Sequence, residues 1–317
     1  MIHLLKEKTG LNLEYYRRTF ILRRLKARMI RMKINDLKKY NSFLLSNKTE
    51  LKQFKDAFTI NYTYFFRDWD VYATLQNIFL KSLNIEKEEK FLEELRPDCP
   101  EDGTVRKKRR ALLQKEIVYS PSLFDNLKNL SIYRKLINPR ILKRPINIWS
   151  CACASGEEPY SIAMIINNLS NKIPNFCKFR IIASDIDKYA IEDAKKAVYT
   201  QEKMKNVPIL YENKYFKKEM SLHGYLYYLS KAIKESITLL NEDITKIDIY
   251  PWKFDLIFCR NLLIYFNIQN RNKFLKILEK QLKKGGLLFL GKTETILNEN
   301  SSLKIIDPIH HIYIKKF

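Results

Sequence analysis

The chain has 317 residues, 46% of them apolar and 13% aromatic, enough for one large domain or two ordinary ones with a packed core. Its formal net charge of +23 points to an acidic partner (nucleic acid, an anionic membrane surface or an acidic protein), although a lysine-rich background accounts for part of the excess. No apolar run approaches the roughly 20 residues of a membrane helix, and the start MIHLLKEKTG lacks the apolar core of a secretory signal, so a cytoplasmic protein is expected.

Residues 1–80 read as an all-helical domain. In LEYYRRTFILRRLKARMIRMK there is no Gly or Pro, and Leu22, Leu25 and Met29 recur at helical spacing. At one residue per 100°, Arg17, Arg24, Arg28 and Arg31 fall within an arc of roughly 60°, a basic stripe beside the apolar one. Such a stripe is either a solvated face or a surface for an anionic partner. A second helix is expected over DLKKYNSFLL with Asp36 as its N-cap, and a third over TELKQFKDAFTI. Residues 81–144 mix acidic and basic blocks around a Pro, Asp and Gly break and read as a charged insert, mobile or loosely helical. Its RKKRR run is a solvated charge run or a nucleic-acid contact.

From residue 145 strands and helices alternate. INIWSCA, KFRIIASD, SITLLNED, FDLIFCRN, LLFLG, LKIID and HHIYIKK read as strands. EEPYSIAMIINNLS, KYAIEDAKKAVY and IQNRNKFLKILEKQLKKGG read as helices, with Pro159 tolerated in a first turn. The pattern predicts an α/β domain over 145–317 with a mostly parallel, doubly wound sheet of about seven strands, the last one antiparallel.

Gly286, Gly291, Lys292 and Thr293 satisfy the phosphate-loop pattern G-x-x-x-x-G-K-[ST]. A phosphate loop follows a strand and opens a helix, whereas the four intervening residues here are Leu-Leu-Phe-Leu, the heart of a buried strand. The match is a coincidence of letters. The cysteines (Cys99, Cys151, Cys153, Cys177, Cys259) are odd in number and irregular in spacing, and the lone C-x-C stands far from His3, His223, His310 and His311. Neither a disulfide framework nor a metal site is expected.

Ligands of open α/β sheets bind beyond the carboxyl ends of the strands. The first strand runs into SCACASGEEP, where a single glycine is followed by Glu157 and Glu158, a loop that would repel a pyrophosphate. The second ends in ASDID. Asp185 can accept hydrogen bonds from ribose hydroxyls, while Asp187 can cap the next helix. An adenosine that carries positive charge and no phosphate is S-adenosyl-L-methionine.

TINYTYFFRD, IWSCACASGEEPYSIAMI, ASDIDKYAIEDAKKAVY, FDLIFCRNLLIYF and GGLLFLGKTET, in that order, closely resemble the CheR-type chemotaxis receptor methyltransferases, a family of protein-glutamate O-methyltransferases. The resemblance covers nearly all of the chain except 81–144. It implies an N-terminal all-α domain, a Rossmann-like S-adenosylmethionine-dependent methyltransferase domain, and a small antiparallel β-subdomain inserted at about 200–238. By motif position it assigns Asn61, Thr63 and Arg67 to the cofactor, with Arg67 suited to hold its carboxylate through paired hydrogen bonds. It assigns Glu157 to the methionine or ribose end, Asp185 to the ribose, and Asn241 and Glu242 to the neighbourhood of the adenine. Arg260, Asn261 and Tyr265 would border the methyl-transfer site, with Tyr265 and Arg260 orienting the acceptor. The implied partner is the acidic helical region of membrane chemoreceptors, methyl-accepting chemotaxis proteins, against which Arg17, Arg24, Arg28 and Arg31 could dock. Plainer readings stay open: Tyr265 as a core aromatic, Arg67 paired with Asp68 or Asp70, Asn61 as a helix-end cap. Two rival functions are a nucleic-acid methyltransferase, for which CRNLLIYF lacks the Asp/Asn-Pro-Pro-aromatic signature, and a non-catalytic S-adenosylmethionine-binding adaptor.

Overall fold

Local chemistry starts the first helices. In the computed structural model, which describes residues 13–58, 62–82, 144–173, 176, 178–244, 250–296 and 301–316, α1 spans Arg18–Arg31, α2 Leu37–Ser46 and α3 Lys48–Asp56. Asp36 caps α2 by accepting from the Lys39 amide at 2.7 Å, and Asn47 caps α3 by accepting from the Glu50 amide at 2.9 Å. Residues 83–143 of the charged insert, including RKKRR, lie outside the described residues.

The chain forms two compact units, Met1–Asn61 with Leu262–Ile277, and Tyr62–Asn261 with Leu278–Phe317. In the first, Leu13, Phe20, Leu25, Tyr40, Leu44, Phe54 and Phe58 make the core, and a return segment supplies Tyr265, whose ring centroid lies 4.9 Å from that of Phe20. The expected basic stripe is broken here. Arg28 is buried, with Nε and Nη2 donating to Glu50 at 3.0 and 2.5 Å, while Tyr40 Oη donates to the same carboxylate at 2.7 Å. A guanidinium three residues from the apolar Leu25 sits at the edge of the core-facing arc, and a buried carboxylate turns it inward. Arg17 stays exposed, its Nε donating to the Phe266 carbonyl at 3.1 Å, Arg24 lies 5.3 Å over the Phe20 ring, and Arg31 is exposed.

In the second unit α4 (Trp69–Ser82) packs Val71, Tyr72, Leu75 and Phe79 into the same core as the sheet. The sheet strands are β1 (Ile146–Cys151), β2 (Phe179–Asp185), β6 (Ile237–Asn241), β7 (Phe254–Cys259), β8 (Leu282–Leu290), β9 (Leu303–Asp307) and β10 (Ile312–Lys315). Their order is β6-β2-β1-β7-β8-β10-β9, parallel except for β10, which is antiparallel to both neighbours. Between β1 and β2 runs α5 (Glu157–Lys172), and after β2 comes α6 (Lys188–Lys196), capped by Asp187 through the Tyr189 amide at 2.9 Å. Three further strands, β3 (Val198–Thr200), β4 (Phe216–Ser221) and β5 (Gly224–Leu229), form a separate antiparallel sheet in the order β3-β5-β4. The register pairs Cys151 with Ser184 and Asp185 with Asn241, so the loops after β1, β2, β6 and β7 emerge along one edge.

Candidate functional site

The loop after β1 is built from backbone that side chains resist. Ala152, Ala154 and Gly156 have φ of 61°, 49° and 91°. A methyl group tolerates the left-handed region at a cost of about 1 kcal/mol, and a bare glycine at none. A Cβ at Gly156 would also meet Tyr160 Cε2 at 2.8 Å and Ala194 Cβ at 3.0 Å. Asp185 holds the loop from the next strand, its Oδ2 accepting from the Ala154 amide at 2.8 Å while Oδ1 accepts from the Asp187 amide at 2.9 Å. Burial pushes this carboxyl above its ordinary value, and the amides of Asp187 and Ala154 pull in the other direction. Each of its oxygens keeps a further lone pair.

The tip of β6 joins the same cluster. Asn241 Nδ2 donates to the carbonyls of Asp185 and Ile186 at 3.0 and 3.1 Å, the Glu242 amide donates to the Asp185 carbonyl at 3.0 Å, and the Glu242 carboxylate accepts from Tyr250 Oη. The structure thus brings Asp185, Asn241 and Glu242 together.

At the tip of β7 stands Arg260, a buried cation inside a ring of acceptors. Its Nη2 donates to Asp68 Oδ2 at 2.5 Å and to the Arg67 carbonyl at 3.0 Å, and its Nη1 lies 3.4 Å from Glu158 Oε2 and 3.5 Å from Tyr72 Oη. Burial works against the charge, but Tyr72, Glu158 and Asp68 together hold its pKa above the ordinary value. Glu158, which also accepts from Ser150 Oγ at 2.8 Å, is pushed up by burial, with Arg260 and Ser150 opposing. The arm 62–68 that supplies Asp68 carries two more left-handed residues, Phe66 at 53° and Asp68 at 58°. Arg67 itself donates to the Tyr62 carbonyl at 3.0 Å and forms no ion pair among the described residues, since Asp68 is taken by Arg260 and Asp70 by Lys292 at 2.7 Å. Asn61 lies outside the described residues. The Thr63 carbonyl accepts from Lys203 Nζ at 2.7 Å, and the same ammonium lies 2.9 Å from Glu157 Oε1. Glu157 is fully buried and also accepts from Ser155 Oγ at 2.9 Å.

The look-alike phosphate loop finds its purpose here. Residues 292–293 form a turn and 294–296 are irregular, so no helix opens after Gly291. Instead Glu294 Oε2 accepts from the Gly291 amide at 2.7 Å and from the Asn261 amide at 2.8 Å. Asn261 sits at φ 60°, and a Cβ on Gly291 would fall 2.8 Å from that carboxylate oxygen and 2.9 Å from the Asn261 amide. The glycine is required by a carboxylate clasp on the loop after β7.

The profile described as "CheR methyltransferase, SAM binding domain" matches residues 116–311, more than half of the chain, and "CheR methyltransferase, all-alpha domain" matches residues 1–59. The chain belongs to the CheR methyltransferase family. Curated relatives named chemotaxis protein methyltransferase include one from Borreliella burgdorferi, 31% identical over 58% of this chain and 67% of that protein. A second, from Vibrio cholerae, is 35% identical over 57% and 61%. A third, from Escherichia coli, is 33% identical over 46% and 51%. The match therefore spans about half to two thirds of these relatives' length.

S-adenosylmethionine, the ligand of the family's matched domain, fits the residues present. Carboxylates and amides line the strand tips, Asp185 keeps acceptor capacity for hydroxyl donors, and a sulfonium is compatible with an acid-rich edge where a phosphate is not. Of the residues singled out in sequence, Thr63, Arg67, Glu157, Asp185, Asn241, Glu242, Arg260 and Asn261 lie in the second unit, on the arm 62–68 and the strand-end loops. Tyr265 and the four arginines belong to the first. Motif reading gave no role to Tyr72, Lys203 and Glu294, and named Asp68 and Glu158 without foreseeing that they hold Arg260. Those two, beside the singled-out Arg67 and Glu157, carried a local signal; the others depend on partners between about 30 and 190 positions away, a separation that the fold alone closes.

Proposed function

We propose that the chain transfers a methyl group from S-adenosylmethionine to glutamate side chains in the acidic helical region of membrane chemoreceptors, giving glutamyl methyl esters and S-adenosylhomocysteine, and that it does so in the cytoplasm. The observation that carries the reading is the buried Asp185 carboxylate locking a left-handed loop just before Glu157 and Glu158, an edge suited to ribose and sulfonium and hostile to phosphate. Family membership supplies the reaction class.

When bound, the donor supplies an electrophilic methyl on a sulfonium. Asp185 takes the ribose hydroxyls, Asn241 and Glu242 border the adenine, and Arg67, which donates to the Tyr62 carbonyl and forms no ion pair among the described residues, takes the amino-acid carboxylate by charge-assisted hydrogen bonds. Thr63 flanks that carboxylate on the same arm, and Asn61 is assigned to it by motif position alone. Glu157 is already engaged by Ser155 and Lys203, so it shapes the wall of the methionine end. The terminal nitrogens of Arg260 are likewise engaged by Asp68, Glu158 and the Arg67 carbonyl, while its buried Nε has no partner among the described residues, so we read it first as a positioning residue for the arm. Orienting the acceptor then falls to Asn261 at the tip of β7. A glutamate with a pKa of about 4.3 is ionised at neutral pH and needs no general base. Alignment of oxygen, methyl and sulfur, and removal of water from the carboxylate, are the work left to the protein. The arginines that remain outward, Arg17 and Arg31 with half-buried Arg24, would steer the acidic receptor helices.

Methyl transfer from tritiated S-adenosylmethionine to receptor-containing membranes, followed by alkaline release of volatile methanol, tests the reading. Base-labile counts should vanish in Arg67→Ala and Asp185→Ala and fall in the double variant Arg24→Glu, Arg31→Glu. Cofactor binding without a labile ester would overturn it and send the search to nucleic acid.

A further inference from the structure

Glu157 stands at the first turn of α5, next to the loop that the cofactor reading depends on, and its side chain is 0% exposed. A buried carboxylate is tolerated only when paired. Ser155 Oγ has one proton to share between the two Glu157 oxygens, at 2.9 Å from each. Among the described residues the only cation within ion-pair distance is Lys203, whose side chain is 27% exposed. Lys203 belongs to a short helical turn, Gln201–Met204, just after β3 of the small sheet.

The same residue grips the arm 62–68 twice. Its Nζ donates to the Thr63 carbonyl at 2.7 Å, and its own carbonyl accepts from the Phe65 amide at 3.0 Å. Nearby groups from the small subdomain reinforce the grip: Tyr199 Oη donates to the Ser155 carbonyl at 2.9 Å, the Phe65 ring meets the Tyr199 ring edge-on at 4.7 Å, and Asn206 Nδ2 donates to the Phe66 carbonyl at 3.3 Å. The arm held in this way carries Arg67 and Asp68, and Asp68 in turn holds Arg260.

We propose that Lys203 is a positioning residue for the cofactor site: it neutralises buried Glu157 and latches the Arg67 arm to the first turn of α5, so that the small antiparallel subdomain controls the shape of the cofactor loops. The idea rests on the reading of the site as one for S-adenosylmethionine. A ligand of the small sheet is linked to the cofactor only where its affinity differs between the latched and unlatched arm.

Four variants decide it: Lys203→Met, Lys203→Arg, Glu157→Gln, and the double variant Lys203→Met, Glu157→Gln. The readouts are calorimetric binding of S-adenosylhomocysteine and hydrogen exchange of residues 62–68 in protein without cofactor. Lys203→Met should weaken binding about tenfold and speed exchange of 62–68, with Lys203→Arg close to the parent and the double variant recovering much of the loss, as coupled neighbours do. With receptor as acceptor, Lys203→Met should raise KM for the donor while kcat changes no more than about twofold. Undiminished binding by Lys203→Met, or losses that simply add in the double variant, would overturn the proposal. Should Lys203→Met fail to fold, the double variant against Glu157→Gln alone still decides, since equal exchange of 62–68 in the two removes the latch. If the parent protein binds no S-adenosylhomocysteine, the cofactor reading has failed, and the exchange data then test the latch by themselves.

Discussion

Gly156 illustrates how little freedom single residues have in the loop after β1. Its φ of 91° lies where a side chain is strained, and a Cβ would meet Tyr160 Cε2 at 2.8 Å. Gly156→Ala should cost about 1–3 kcal/mol in urea unfolding and weaken cofactor binding, because relief of the clash moves α5 away from the loop. Glu294 is the corresponding residue for the loop after β7. Glu294→Ala leaves the buried Gly291 amide and the part-buried Asn261 amide without their acceptor, at about 1–3 kcal/mol, and frees Asn261 from its φ of 60°. Its signature should be a loss of catalytic rate larger than the loss of cofactor affinity, read as a split between kcat and the dissociation constant.

Among the elements, α1 and α3 are joined by the Arg28–Glu50 pair, to which α2 adds Tyr40. Burial alone would raise the Glu50 carboxyl, but hydrogen bonds from Arg28 and Tyr40 outweigh it and hold the group below its ordinary value of 4.5. A carboxyl whose folded value is depressed contributes stability that is present above 4.5 and lost as pH falls through the lower folded value. The helical unit should therefore loosen in acid below pH 4.5, followed by circular dichroism, and Arg28→Met, which strands a buried carboxylate, should cost about 3–5 kcal/mol. At the opposite end of the sheet from the site, Asp255 collects Arg144 at 2.8 Å, Lys283 at 2.8 Å and the Asn147 amide at 2.9 Å, tying β1, β7 and β8. Asp255→Ala should destabilise the protein by about 2–4 kcal/mol while leaving the cofactor dissociation constant unchanged. Loss of both together would show that the two ends of the sheet are coupled.

For the molecule as a whole, the net charge of +23 bears on association more than on fold. If acidic receptor helices are the substrate, kcat/KM for receptor methylation should fall steeply between about 50 and 200 mM salt, as the Debye length shortens to roughly 7 Å, while cofactor affinity changes little. A salt-independent kcat/KM would remove electrostatic steering from the account.

Much of this protein is decided by pattern that neighbouring residues share. The alternation of apolar strands and amphipathic helices after 145, the caps at Asp36 and Asp187, the single glycine of SCACASGEEP and the acidic tip of ASDID are local features, legible because periodicity and capping act within a few residues. The sheet's one antiparallel strand and the small three-stranded sheet followed from that same pattern and from family resemblance. What the tertiary structure alone decided is which charges meet. Arg28 looked like part of a surface stripe until Glu50 and Tyr40 drew it inside, and a terminal nitrogen of Arg260 meets Asp68, 192 residues away. The G-x-x-x-x-G-K-T letters became intelligible once Glu294 was found on the Asn261 amide. The physical reason is common to all three. Periodicity and backbone preference are properties of a short stretch of chain, whereas the pairing of a buried charge depends on which distant strand end the fold delivers beside it.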